Sequence, residues 1–159
     1  VAALSSMFKN TNIAPATRLP SCEILFLYAH LRVDGTLAGI DVQAGLRQIA
    51  QLTGAMLIVL ASPCSSDAAQ KCVALPGQKL ANLILTLDRR EDGFAKFFRE
   101  LFELMGTGTP LLNAWVELAP QHPSAMPDFA PETLLIAEAG NIKFPALERN
   151  LATNKDALR

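Results

Sequence analysis

The sequence predicts an α/β domain, a three-layer αβα sandwich around a mostly parallel sheet. Two apolar runs, Cys22 to His30 and Met56 to Ala61, are continuous instead of alternating, as in strands covered on both faces. Between them Val42, Leu46, Ile49 and Leu52 fall on one helical face, so the three segments read as a parallel strand, helix, strand unit with a right-handed crossover. Further on, Phe94, Phe97, Phe98, Leu101, Phe102 and Met105 repeat at the i, i+3, i+4, i+7 spacing of a long helix with one buried face.

Each element has local signals at its ends. Residues 1–21 hold Asn10, Asn12, Pro15 and Pro20 with no sustained period and read as an N-terminal arm. The strand from Cys22 to His30 gives way to a turn around Asp34-Gly35 and Gly39. Asp41 is the expected N-cap of the first helix, and Gly54 its stop. After the strand Met56 to Ala61, a helix of about two turns is expected from Ser65-Ser66-Asp67 through Val73, ended by Pro76-Gly77. Asn82 to Leu87 is a third strand. Gly106 and Gly108 end the aromatic helix, whose stripe reads as core packing against the sheet. Leu111, Leu112, Trp115, Val116 and Leu118 outline a further helix. Pro120, Pro123, Pro127 and Pro131 punctuate a loop before a last strand, Thr133 to Ala137, and a turn at Gly140-Asn141. The organisation expected is the arm, a single α/β domain over residues 22–144, and a polar tail over 145–159.

The composition narrows the function. With 159 residues, half of them hydrophobic, and a formal charge of −1, the chain can bury a sizeable core and has no basic face for nucleic acid. The longest apolar runs fall well short of the roughly 18 residues that span a bilayer, so no membrane insertion is expected. Residues 1–6 lack the charged and apolar regions of a secretory signal, and a start at Val1 instead of Met leaves room for residues upstream. Three cysteines, Cys22, Cys64 and Cys72, make no paired framework and suit a reducing cytoplasm. Cys64 and Cys72 lack metal-ligand spacing, and neither His30 nor His122 stands beside them, so no metal is expected. Gly-x-Gly-x-x-Gly, Gly-x-x-x-x-Gly-Lys-Ser/Thr and Gly-x-Ser-x-Gly are all missing, which leaves no nucleotide cofactor and no nucleophile elbow.

What remains is a histidine and a cysteine, each following an apolar strand. Parallel neighbours end on one edge of a sheet, so His30 and Cys64 can meet there as base and nucleophile. The segments Leu27-Tyr28-Ala29-His30 and Leu57-Ile58-Val59-Leu60-Ala61-Ser62, followed by Leu83 to Asp92, the aromatic helix, Gly106 to Trp115 and Leu134 to Ala137, run in the order found in the CHAT branch of the caspase-like cysteine peptidases. Over residues 22–140 the chain resembles that family, which implies a caspase-like topology and a cysteine endopeptidase acting on a peptide or protein through His30 and Cys64. Two positions depart from the family pattern. Leu31 follows the histidine where the family has Gly, and Pro63 stands at the nucleophile position with Cys64 one residue late. Within a continuing strand, one residue of slip turns a side chain to the opposite face.

A cysteine nucleophile works as the thiolate and needs backbone N–H groups to hold the developing oxyanion. The turn at Ser65 and Ser66 opens a helix whose free N–H groups and dipole suit that task and favour a thiolate at Cys64. Asp34, Asp67, Asp88 and Asp92 are candidates to line a substrate edge, Asp88 or Asp92 able to engage a basic substrate side chain, and all four are equally suited to form turns and caps. Three readings follow for one fold: a peptidase with a His30–Cys64 dyad, a catalytically degenerate caspase-like module that binds or regulates a protein partner, and a flavodoxin-like small-molecule binder. Substrate, partner and oligomeric state are not encoded in any motif of the chain.

Overall fold

The computed structural model describes residues 7–8, 18–38, 44–89, 93–118 and 132–144. The expected cap Asp41, Val42, Asp92, the proline-rich loop and the polar tail lie outside them. The described residues form β1 (Ile24–Leu27), α1 (Leu46–Thr53), β2 (Leu57–Leu60), α2 (Ser66–Ala74), β3 (Asn82–Asp88), α3 (Gly93–Gly106), α4 (Leu111–Leu118) and β4 (Glu132–Ile136). The fold is mixed α/β, with a four-stranded, mostly parallel sheet in the order β1-β2-β3-β4. The chain gathers into two compact units, Ile13–Arg89 with Pro131–Gly140, and Val1–Asn12 with Arg90–Ala130 and Asn141–Arg159.

The first unit contains the sheet. β1 and β2 run parallel with Ile24 opposite Leu57 and Leu27 opposite Leu60, and β2 and β3 run parallel with Leu57 opposite Asn82 and Leu60 opposite Leu85. β4 returns antiparallel beside β3, Leu83 facing Ile136, with an irregularity between Thr86 and Asp88. Every residue of β2 is buried, which explains why its sequence shows no alternation. Leu25, Leu27, Ile58, Leu60, Leu83 and Leu85 share one apolar cluster with Leu46, Ile49 and Ala50 of α1 and Ala68, Ala69 and Cys72 of α2. Both helices therefore cover the same face, as two crossovers of one hand stepping in one direction require. Leu57, Val59 and Ile84 on the opposite face are fully buried as well. Each such Leu, Ile or Val contributes roughly 1.5–3 kcal/mol by leaving water.

The helices differ from expectation at their edges. α1 begins at Leu46 after Gly45, whose amide is held by the Gln48 side-chain oxygen at 3.1 Å. Its buried side is Leu46, Ile49, Ala50 and Thr53, whereas Leu52 is 71% exposed. Thr53 takes the inward position because its hydroxyl donates to the Ile49 carbonyl at 2.8 Å, satisfying itself inside the helix. Gly54 ends α1 at φ +72°. α2 is capped by Ser65, whose hydroxyl oxygen accepts the Ala68 amide at 3.2 Å.

The second unit is built on α3. Phe94, Phe97, Phe98, Leu101, Phe102 and Met105 are all buried, so the whole stripe reads true as a helix face. Phe97 meets Phe98 and Trp115 of α4 edge to face, with centroids 5.4 and 5.3 Å apart, and Phe8 meets Phe102 likewise at 5.2 Å. Val116 of α4 is exposed, and Leu111 and Ala114 are the buried positions there. α4 is capped from a distance in sequence: the Asn141 side chain accepts the Leu112 amide at 2.9 Å, and the Ile142 carbonyl accepts that of Leu111 at 2.9 Å.

Arg47 joins three parts of the sheet unit. Its guanidinium bonds both oxygens of Glu138, just beyond β4, and donates to the Leu75 carbonyl at the end of α2. The side chains of Arg47 and Glu138 are 10% and 6% exposed, so this ion pair is shielded from most, though not all, solvent. Hydrogen bonds from Arg47 hold the Glu138 carboxyl below the usual glutamate range. Gly35 packs against the backbone of α2. At φ +85° its missing Cβ would lie 2.5 Å from the Cys72 nitrogen.

Two tests follow. Gly35→Ala forces both a left-handed alanine and a backbone overlap, and should cost about 2–4 kcal/mol in urea unfolding. Gly140→Ala, at φ +77° with nothing within 4 Å, should cost only about 1 kcal/mol. Equal losses would overturn the packing argument at Gly35. Glu138→Gln should cost about 1–2 kcal/mol at pH 7 by leaving the partly buried Arg47 without its counter-charge. Because the folded pKa of Glu138 is depressed, its contribution is complete above about pH 4.3 and is lost as pH falls through the folded value. The gap between parent and variant should therefore narrow below pH 4, measured by denaturation at a series of pH values.

Candidate functional site

The carboxyl ends of β1, β2 and β3 lie on one edge of the sheet, and the chain leaving each strand sets what stands there. β1 ends at Leu27, earlier than its apolar run, so His30 belongs to the following loop and not to the strand. There the His30 carbonyl accepts the Ala38 amide at 2.8 Å, and Leu31 pairs with Leu37 in a short antiparallel bridge. The turn between them is closed by Asp34, whose carboxylate accepts the Thr36 amide at 2.9 Å and the Thr36 hydroxyl at 2.7 Å. Those bonds, the hydroxyl's first, lower the Asp34 pKa. His30 itself is exposed.

Cys64 is placed by a break in the β2–β3 ladder. In the parallel pattern set by the Asn82 amide on the Met56 carbonyl, the Thr86 carbonyl is due to receive the amide of Ser62. It receives the amide of Cys64 instead, at 2.9 Å. Ser62 and Pro63 are thus looped out, and Pro63 has no N–H to offer the ladder. The loop ties the Cys64 backbone to β3, on the side of β2 away from β1 and the loop that carries His30. The Cys64 side chain packs against the cluster shared by the sheet, α1 and α2.

Burial pushes the Cys64 thiol up, and the nearby Cys72 adds to the shift. This is opposite in direction to the activation expected from the start of α2. Burial raises the Cys72 and Cys22 thiols too, the latter offset in part by a hydrogen bond with Thr53. All three cysteines are free.

Ser65 and Ser66 stand where expected, at the cap and first residue of α2, and Asp67 lies in its first turn, where a negative charge suits the dipole. Asp88 ends β3, exposed, opposite Glu132 of β4. The edge therefore collects His30, Cys64, Ser65, Ser66, Asp67 and Asp88 at strand and helix ends. Among the described residues no hydrogen bond joins His30 to Cys64, and no group of three or more His, Cys, Asp or Glu is arranged to hold a metal ion.

Tyr28, Arg89 and Thr86 complete the edge, and sequence reasoning singled out none of them. The Arg89 guanidinium lies 5.9 Å from the centre of the Tyr28 ring. The two residues follow β1 and β3, the strands on either side of β2, so this contact reaches across the end of β2. The only sequence signal was their position just after apolar strands, which says nothing until strand order is known. Thr86 is fully buried and its hydroxyl has no hydrogen-bond partner among the described residues. No protein-family model, curated protein or solved structure matches the chain, and no helix among the described residues is long and apolar enough to cross a membrane.

An unpaired buried hydroxyl is destabilising, so Thr86→Val should raise stability by about 1 kcal/mol in urea unfolding. A loss of stability would show that the hydroxyl has a partner in solution.

Proposed function

We propose that this chain is a caspase-like αβα domain whose histidine and cysteine do not operate as a dyad, and that it acts by binding or regulating a peptide or protein partner. One observation carries the reading: the Cys64 amide is bonded to Thr86, which sets the cysteine on the β3 side of β2 with its side chain against the core and its thiol raised by burial. A thiol in that setting is protonated at neutral pH and is a poor nucleophile. The departures at Leu31 and Pro63 agree with it. Three free thiols suit the cytoplasm, the compartment that goes with this reading.

A working peptidase is the second reading, and one feature favours it. α2 opens two residues after Cys64, and Ser65 caps the Ala68 amide alone, which leaves the amides of Ser66 and Asp67 at the start of the helix to face an oxyanion. The pH dependence of iodoacetamide alkylation, resolved at Cys64 by peptide mass spectrometry in the parent and in His30→Ala, separates the two. The degenerate module should show an apparent Cys64 pKa above about 8.5 that His30→Ala leaves unchanged. Rapid reaction below pH 7 that disappears with His30 would overturn it and restore the peptidase.

A further inference from the structure

We draw no further inference here: the strongest candidate, the outer edge of strand β4 with its exposed Leu134 at the end of the sheet, carries nothing because nothing in the structure shows what covers it.

Discussion

Parallel pairing of three short, buried strands is the constraint from which the arrangement of the sheet unit follows. β1, β2 and β3 cannot be joined by tight hairpins, so each connection must climb over a face. Two crossovers stepping the same way put α1 and α2 on one face, where they share a core with Leu25, Leu27, Ile58, Leu60, Leu83 and Leu85. The same pairing brings the carboxyl ends of all three strands together. That edge is where polar residues from distant parts of the sequence collect. Arg47 then fastens the assembly from inside, tying α1 to the end of α2 and to the turn beyond β4.

At the edge, small departures from regular pairing decide the chemistry. β1 stops three residues short of His30, and the histidine passes into a loop held by Asp34 and Thr36. β2 stops at Leu60, and the two residues looped out at Ser62 and Pro63 bring Cys64 to β3. The Thr86 carbonyl, which regular pairing would give to the Ser62 amide, takes the Cys64 amide two residues further along and so stays satisfied. The cysteine amide thereby has a structural task. Its thiol, packed beside α2 and near Cys72, is shifted away from the thiolate that a nucleophile requires.

Much of the fold was legible in the chain. The continuous apolar runs marked the buried strands, the stripe from Phe94 to Met105 marked α3, and Ser65 and Gly54 marked a helix start and a helix stop. Periodicity failed where side-chain chemistry competed with hydrophobicity. Leu52 was assigned to the core of α1 and is exposed, because Thr53 satisfies its own hydroxyl and turns inward. Strand length was overestimated at His30 because an apolar run records hydrophobicity, not pairing: Ala29 is still buried after the ladder has ended, while Tyr28 beside it is exposed.

The sequence by itself determined the class of fold, the order of its elements and the positions of a histidine and a cysteine after neighbouring strands, since these depend on local burial patterns and end signals. Only the tertiary structure decided that β4 runs antiparallel, that Arg89 reaches Tyr28 across β2, and that Cys64 is bonded to Thr86. Each of these depends on which backbone groups pair across strands, a choice made by the assembled sheet and recorded in no single segment of the chain.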